Sequence, residues 1–419
     1  DTGNSSFKVA PQYKTDVVLS KEDAKPLIDT INQVFQARVL FETKKQKQKE
    51  IKTVNPPYRD ELDDDNRGNR LSVDDAHAEQ VNPVSAQQSI SVHPYQRLTP
   101  DVVIDAVEST QRFSDARILA LNSYENRVYQ VGIEESDPVI VKFYRPERWT
   151  TDQIIEEHGF TQQLYELDIP VVPPLPINDS DTPTLGRYQD FYFSIYARQG
   201  GRAPELDNLE HLYQLGQFIG RIHAVGASYP FRHRVALRVA DFGHSSVAYL
   251  LEKDFIPVDL RAAYQSITEQ LLAAIDACSP DDPRFNRLSL HGDCHPGNVL
   301  WRNDRPHLVD FDDAMTGPAI QDLWMLLSGD THNKQRQLSE IVEGYEAFYP
   351  FNPAELSLIE PLRALRVLHY SAWLARRWDD PAFPISFPWF NTERYWSEHI
   401  LELKELVSSL AEPSLTLPD

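Results

Sequence analysis

The amino-acid sequence predicts an α+β fold of two lobes, in which a small antiparallel sheet is followed by a mostly helical lobe. Apolar segments of strand character occupy residues 119–133, 139–144 and 191–197. The pair Gly200-Gly201 follows the last of these segments, and we expect a hinge there. Beyond the hinge, apolar residues recur at helical spacing, which makes the second lobe mostly helical.

The elements can be placed in order along the chain. A short helix is expected over 100–107, before the first strands, and a longer one over 151–167, between the second strand and the third. With 419 residues, of which 41% are hydrophobic, the chain can enclose a core in each lobe. In the second lobe, helical spacing is found at 206–224, 260–277, 320–327, 341–348 and 362–378. We therefore divide the chain into an N-terminal extension with a linker, a sheet lobe and a helical lobe, which span 1–92, 93–197 and 198–419.

The N-terminal extension differs from the rest of the chain. Residues 13–19 suit a strand, residues 27–39 suit one amphipathic helix, and the polar, acidic stretch over 60–88 suits a linker. One strand and one helix cannot enclose a core, so this segment must pack on the lobes or on a partner. The lysines within 44–49 could contact nucleic acid, although solvated charge at a helix end is the commoner explanation. The pattern over 13–69 faintly resembles the front of phage single-stranded-DNA-binding proteins, and we assign it no role.

Composition and charge argue against several classes of protein. The net charge of −22 disfavours binding of the two lobes to nucleic acid or to an anionic membrane. No stretch approaches the roughly 18 apolar residues of a membrane span, and the first residues lack the apolar core of a secretory signal. The two cysteines, Cys278 and Cys294, suit a reducing compartment. We therefore expect a cytoplasmic monomer that does not bind membranes.

The segment 290–313 carries the residues that phosphoryl transfer needs, in the order in which that chemistry uses them. Asp293 can accept the proton of an attacking hydroxyl, Asn298 can bind Mg²⁺, and Asp310 can bridge the metal to ATP phosphates. In isolation, the alternating His291, Asp293 and His295 could instead form the metal site of a hydrolase. An asparagine is a poor ligand for transition metals but suits Mg²⁺, so the whole set favours phosphoryl transfer.

Residues upstream supply a context for this motif. Lys142 lies inside an apolar strand, where an ammonium group is costly unless an anion is near, so we expect it to contact ATP phosphates. A lysine on an edge strand that reaches out to solvent is the alternative. Glu156 or Glu157 could pair with Lys142; the sequence leaves both open, and Glu157 is the candidate that we name. In place of a Gly-x-Gly-x-x-Gly loop stands 121–127, where Ser123 and backbone N–H groups could touch phosphate, although an ordinary polar hairpin is as common.

Other conspicuous residues are given lesser roles. The triplet 241–243, Asp-Phe-Gly, copies the metal-binding triplet of protein kinases but precedes the catalytic loop, which excludes it from that role. Asp312 is a possible second metal ligand or a cap, and Asp322 is expected to hold the loop through backbone hydrogen bonds. Next to Asp293, Cys294 should have a raised pKa and be inert. Basic and aromatic residues at helical spacing could line a cleft for a hydroxyl substrate or a peptide: Arg363, Arg366, His369, Trp373, Arg376, Arg377 and Trp378.

From about residue 98 to its end, the chain closely resembles the bacterial stress response kinase A family, within the aminoglycoside phosphotransferase and choline kinase group. The resemblance implies a bilobal protein-kinase-like fold. It also implies a Mg²⁺-dependent enzyme that uses ATP to phosphorylate serine and threonine in proteins during envelope or oxidative stress. The runs that carry the resemblance are 121–130, 141–149, 290–295, 321–327 and 378–384.

The resemblance also implies roles by position. Asp293 becomes the proton acceptor, Asn298 and the catalytic Asp310 become the Mg²⁺ ligands, and Ser123 lies at the ATP site. The chain departs from the family in a slightly longer turn at 302–306 and in its N-terminal extension. Because the fold group serves several substrates, a small-molecule kinase of choline, homoserine or aminoglycoside type is the alternative function.

Overall fold

The computed structural model describes residues 93–121 and 123–417. The strand, helix and linker expected within 1–92 lie outside the described residues. Within the described part, the first lobe is built on a five-stranded antiparallel sheet with the order β1-β2-β3-β5-β4. Its strands are β1 (Ser114–Ala120), β2 (Arg127–Ile133), β3 (Ser136–Phe143), β4 (Gly186–Tyr188) and β5 (Phe191–Ala197).

The sheet has one apolar face and one face directed to the rest of the molecule. Along β3, Val139, Val141 and Phe143 are buried in a core that also includes residues of helix α1 (Pro100–Glu108). Successive side chains of a strand point to opposite faces, so Lys142 lies on the other side. There it is placed between Val128 of β2 and Ser194 of β5 in the strand register.

Helix α2 (Thr151–Glu166) is anchored by its first turn. The Thr150 side chain accepts from the backbone N–H of Gln153, and the Gln153 side chain accepts from the Thr150 N–H, which forms a capping box. Its end contributes Phe160 and Leu164 to the core of the second lobe. This helix therefore connects the two lobes.

The second lobe is mostly helical, as the sequence predicts. Two short antiparallel strand pairs, β6 with β9 and β7 with β8, lie between the helices of this lobe in the chain. These strands are β6 (Leu288–Leu290), β7 (Val299–Arg302), β8 (Arg305–Leu308) and β9 (Met315–Gly317). The helices of this lobe are α3 (Leu209–Ser228), α4 (Ser245–Glu252), α5 (Val258–Ala277), α6 (Thr331–Glu346), α7 (Ile359–Ala375), α8 (Ala382–Ser386) and α9 (Glu393–Leu410). None of the helices within the described residues is long and apolar enough to cross a membrane.

Several predicted elements need correction. The helix expected over 320–327 is wrong, because this segment forms two short 3₁₀ turns, Ala319–Asp322 and Trp324–Leu326. The whole segment is buried, and this burial accounts for its many apolar residues without an α-helix. The segment 119–133 divides between β1, which ends at Ala120, and β2, which begins at Arg127, with a turn at 123–126. Helix α6 begins ten residues before the predicted start, and the prediction missed this part because the first turns of the helix are polar. The sequence analysis did not predict α4, α8 or α9.

The expected hinge is paired to the second lobe. Beside Gly200-Gly201, the backbone N–H of Arg202 donates to the Trp301 carbonyl at 3.0 Å, and the Trp301 N–H donates back at 2.6 Å. This pairing joins the segment between the lobes to β7. The chain beyond β5 thus leads directly to the strands that flank the loop containing Asp293.

We predict that Gly216→Ala destabilises the helical lobe. A Cβ at this position of α3 would overlap the Ile341 carbonyl oxygen on α6, and backbone cannot move aside as a side chain can. An alanine inside a helix should otherwise stabilise it by about 1 kcal/mol. We expect a net loss of about 1–3 kcal/mol in the free energy of unfolding, measured by urea denaturation.

Gly200→Ala is the matched control for this prediction. A Cβ there meets no atom within 4 Å, so the change should stay within about 0.5 kcal/mol. Equal stability of the two variants would show that α3 and α6 do not pack as closely as described.

Candidate active site

The centre of the candidate site is a buried ammonium group. Only 6% of Lys142 is exposed, and its Nζ lies 3.5 Å from Asp310 Oδ1 and 3.5 Å from Asp312 Oδ1. The rings of Tyr144 and Tyr196 flank it at 5.4 and 5.5 Å. The structure thus brings together Lys142 and Asp310, which are 168 residues apart in the chain.

The two aspartates that contact Lys142 differ in exposure. Asp310 follows β8 and adopts a left-handed backbone conformation with φ of 64°, which is uncommon outside glycine and costs free energy. Its side chain is 57% exposed where the two lobes meet at Lys142, whereas Asp312 is buried. The turn Phe311–Asp313 joins them. Asp310 is therefore the carboxylate accessible to a ligand, and Asp312 is the buried counter-charge of Lys142.

Arg148 is a residue of the site that the sequence reasoning missed. Its guanidinium lies 2.7 Å from Asp312 Oδ2, 2.5 Å from Asp313 Oδ1 and 3.5 Å from Glu125 Oε2. Burial disfavours the charged form of Asp312, but the charges of Arg148 and Lys142 hold its pKa well below the usual range. Desolvation and the neighbouring carboxylates raise the pKa of Asp313 against the charge of Arg148, although the Asp313 side chain is 43% exposed.

Several hydrogen bonds hold the loop that contains Asp293. The Asn298 amide nitrogen donates to the Asp293 carbonyl at 3.0 Å, so the amide oxygen is the atom that could ligate a cation. Asp322 accepts from the backbone N–H of His291 and of Gly292 at 2.9 and 2.8 Å, which confirms its predicted role as a support. The Nε2 of buried His223 donates to Asp322 Oδ2 at 3.1 Å.

The carboxylate of Asp293 is held between two basic groups. Arg366 Nη1 lies 2.7 Å from Oδ1, and His295 Nε2 lies 3.4 Å from Oδ2. Burial raises its pKa, yet the charges of Arg366 and His295 outweigh burial and keep the pKa of Asp293 well below the usual range. The neighbouring Cys294 is buried, and burial raises the pKa of its thiol, as expected for an inert residue.

The structure distinguishes Glu156 from Glu157. Glu156 accepts three backbone N–H bonds at 2.6–2.8 Å from residues 232–234, and so fixes a loop of the second lobe. Glu157 is buried on the side of Lys142. Burial raises the pKa of Glu157 to about 7, while the charge of Lys142 lowers it. Of the two glutamates, Glu157 is therefore the one placed to interact with the lysine, through charge rather than a direct ion pair.

The turn between β1 and β2 is held across the cleft by Glu125. The Trp373 Nε1 donates to Glu125 Oε2 at 2.6 Å, and Arg377 Nε lies 2.5 Å from the same atom. Both partners belong to α7 or the turn after it. Within the turn, Ser123 Oγ accepts from the Val128 N–H at 3.1 Å, so this hydroxyl shapes the hairpin.

Asp380 makes a second connection across the cleft. It is 2% exposed and lies 2.9 Å from Arg127 Nη2 and 2.6 Å from Arg145 Nη2. The two arginines flank the turn from β2 and from the end of β3. We call the contacts of Glu125 and Asp380 the loop clamp. The clamp fixes the turn over the helical lobe.

The donor atoms around Asp310 suit a hard cation that shares its ligands with phosphate. Asp310 and Asp312 present carboxylate oxygens there, and the side chain of Asp310 is exposed. In the part of the chain that the structure describes, no three Asp, Glu, His or Cys side chains could hold a metal by themselves. Mg²⁺ commonly takes one or two protein ligands and completes its shell with phosphates and water, so Asp310 and Asn298 fit such a metal. The hydrolase-type triplet of His291, Asp293 and His295 does not form.

The Asp-Phe-Gly triplet at 241–243 packs against neighbouring helices. It lies in the π-helical turn Ala240–His244, where Phe242 contacts His369 with ring centroids 4.5 Å apart. Gly243 packs against Leu272 and Leu365.

Comparison with known proteins adds independent information. The model of the phosphotransferase enzyme family matches residues 117–359. A stress response kinase A of Escherichia coli (strain K12) is 45% identical over 327 residues, which cover 78% of this chain and 98% of that protein. The serine/threonine protein kinase RdoA of Salmonella typhimurium (strain LT2) is 44% identical over 323 residues, which cover 77% and 97%.

Solved structures of low sequence identity share the fold. An amicoumacin kinase, solved with AMP-PNP and Ca²⁺, has a TM-score of 0.56 at 18% identity, over 74% of this chain and 92% of that chain. A microcompartment-associated aminopropanol kinase has a TM-score of 0.54 at 17% identity, over 73% and 98%. These similarities confirm the bilobal kinase-like fold predicted from the sequence.

We predict that Asp380→Asn destabilises the protein, because Arg127 and Arg145 lose a buried counter-charge. Breaking such a pair costs about 3 kcal/mol, to be measured by urea denaturation at pH 7. The arginines lower the pKa of Asp380 from its ordinary value of 3.8 despite burial. This stabilisation is complete above that value and is lost as the pH falls below about 4, so the difference from the variant should shrink in acid.

The adjacent Asp379 is exposed and provides the control. Asp379→Asn should change the stability by no more than about 0.5 kcal/mol. A similar loss for both variants would argue against the loop clamp.

Proposed function

The chain belongs to the phosphotransferase enzyme family and, within it, to the stress response kinase A group, and from this premise we propose that it is an ATP- and Mg²⁺-dependent serine/threonine protein kinase of the stress response. The single observation that carries the proposal is the meeting of Lys142 with Asp310 and Asp312 in the cleft between the lobes. A buried ammonium beside an exposed carboxylate suits a ligand that is both anionic and metal-bound.

The nucleotide would lie under the turn at 121–127. Lys142 would contact its phosphates, with Glu157 orienting the lysine by charge, and Ser123 with its neighbouring N–H groups would cover them. Asp310 and Asn298 would hold Mg²⁺, which neutralises charge that develops on the phosphates. The amicoumacin kinase structure with an ATP analogue and Ca²⁺ supports nucleotide and divalent metal use in this fold.

Asp293 would orient the acceptor hydroxyl and take its proton. The acceptor oxygen forms a bond to the γ-phosphorus, the bond from that phosphorus to the β-phosphate oxygen breaks, and ADP leaves. Because Arg366 and His295 depress its pKa, Asp293 stays ionised and is a weak base. Such a group suits a late proton transfer, in which positioning matters more than basicity.

The acceptor is proposed from the relatives. One protein that matches at 44% identity bears the name serine/threonine protein kinase, and the match covers 97% of it. The solved structures include kinases named for aminopropanol and amicoumacin, which makes a small-molecule acceptor the rival proposal. A fold does not decide between them.

Incubation with labelled ATP discriminates between these functions. The full chain is given the label together with cell lysate protein in one series and a panel of amino alcohols, homoserine and aminoglycosides in another. Label in protein serine or threonine supports the proposal. Label in a small molecule alone would replace it with the rival.

We predict that Asp293→Ala lowers kcat by roughly 10² or more, because the acceptor hydroxyl loses its partner. ATP affinity, measured by calorimetry, should change little. Asp241→Ala is the control, because this exposed aspartate begins the Asp-Phe-Gly triplet at 241–243. The control variant should retain full turnover. Unchanged turnover in Asp293→Ala would remove this residue from the mechanism.

A further inference from the structure

Two tyrosines share the sheet face of Lys142. Tyr144 follows it by two residues, just past the end of β3, where its backbone N–H still donates to the Tyr192 carbonyl at 3.0 Å. Tyr196 pairs with Ile140 in the register of β5 with β3, which makes it the diagonal neighbour of Lys142. The strand pairing therefore brings both side chains to the ammonium group. We call Tyr144 and Tyr196 the tyrosine pair.

The carboxylates near Lys142 do not fix its ammonium group tightly. Its Nζ lies 3.5 Å from both Asp310 Oδ1 and Asp312 Oδ1. Hydrogen bonds between charged groups are commonly about 2.8 Å long. The carboxylate of Glu157 lies instead beside His158, with Oε2 3.7 Å from Nε2. These acidic groups supply counter-charge, so other contacts must define where the nitrogen of Lys142 lies.

The aromatic faces of the tyrosine pair provide such contacts. Lys142 Nζ lies over the ring of Tyr144, 5.4 Å from its centroid, and over the ring of Tyr196 at 5.5 Å. Both distances fall within the roughly 6 Å over which a cation is attracted to an aromatic face. An aromatic face carries no net charge, so it holds the cation without repelling an approaching phosphate, as a carboxylate in the same place would.

A buried network of hydrogen bonds fixes the rings. The two hydroxyl groups of the tyrosine pair lie 3.3 Å apart. The Tyr144 hydroxyl also lies 2.8 Å from His158 Nε2 and accepts from Ser194 Oγ at 3.2 Å, and His158 Nδ1 lies 2.8 Å from Thr184 Oγ1. Burial lowers the pKa of His158 to about 3 and raises the pKa of both tyrosines. The network is therefore neutral near pH 7 and adds no charge beside Lys142.

We propose that the tyrosine pair positions Lys142 for its contact with the nucleotide phosphates, where other kinases use a direct ion pair with a glutamate. This inference rests on the proposed role of Lys142 in ATP binding and adds two positioning residues to it. The rings hold the ammonium on the side of Asp310, where the metal-bound phosphates would lie. Glu157 contributes its charge without a direct contact. The pair should therefore act on the affinity for the phosphates of the nucleotide.

Calorimetry of nucleotide binding to the full chain tests this role. Tyr196→Leu removes one aromatic face, so we expect the affinity for MgATP to fall about tenfold. The affinity for adenosine, which has no phosphate, should not change. Tyr196→Phe keeps the ring and should stay within about threefold of the wild type.

A tyrosine on the opposite face of the sheet provides the matched control. Tyr129 pairs with Val141 in the register of β2 with β3, and its ring packs edge-on against Phe143, with centroids 6.1 Å apart. It therefore faces away from Lys142. Tyr129→Leu removes a strand-borne ring of the same size, and its affinity for MgATP should equal that of the wild type.

A double-mutant cycle separates positioning from a general loss of structure. In Lys142→Met the ammonium is absent, so adding Tyr196→Leu should cause no further loss of MgATP affinity. Urea denaturation establishes that each variant is folded. Should Tyr196→Leu fail to fold, Tyr196→Met takes its place, because a flexible apolar side chain fills the same space without an aromatic face.

The role of the tyrosine pair and the proposed function fail in different ways. Unchanged MgATP affinity in Tyr196→Leu, an equal loss in Tyr196→Phe, an equal loss for adenosine, or a further loss in the Lys142→Met background would each overturn the positioning role. Nucleotide binding itself would stand in all four cases. If the wild-type chain binds no MgATP, the proposed kinase function is wrong.

Discussion

The buried charge of Lys142 is the constraint on which the rest of the site depends. An ammonium group inside an apolar strand is unfavourable unless anions are held against it, and its anions come from the other lobe, at Asp310 and Asp312. This requirement explains why Asp310 keeps a left-handed backbone that costs free energy. It also explains the presence of Arg148, which offsets the negative charge of the aspartates beyond what one lysine can match. A metal-bound nucleotide would enter a site whose charges are already ordered.

A second set of charges holds the two lobes together, and it meets this centre at Arg148, which contacts both Glu125 and Asp312. In the loop clamp, Glu125 and Asp380 are carboxylates bound by arginines and a tryptophan from the opposite lobe. Because these groups are mostly buried, losing one partner leaves an uncompensated charge, so the clamp holds Glu125 of the turn against the helical lobe. Phosphoryl transfer depends mainly on position and electrostatics, so a fixed turn favours it. The same α7 that anchors the turn through Trp373 also contacts Asp293 through Arg366, which couples the turn to the loop that carries Asp293.

How much of this the sequence could predict depends on the range of each interaction. Lys142, Asp293, Asn298 and Asp310 stand in short motifs whose chemistry is readable locally, and the structure brings Lys142 to Asp310 and Asn298 to Asp293. The choice between Glu156 and Glu157 could not be made, since adjacent helix positions are separated only by what packs on each side. The clamp was missed because its partners lie far apart in the chain, as Arg145 and Asp380 do by 235 residues. The helix predicted over 320–327 was wrong for another reason, because a segment buried on all sides is rich in apolar residues whether or not it forms a helix.

Calorimetry of ATP binding to the full chain, with Mg²⁺ and then with the metal chelated, tests the central claim most directly. If Lys142 and Asp310 surround a metal-bound nucleotide, ATP should bind at one site with Mg²⁺ and lose about tenfold or more in affinity without it. In Asp310→Ala this dependence on Mg²⁺ should disappear. Equal affinity with and without the metal, or a dependence unaffected by Asp310→Ala, would contradict the account.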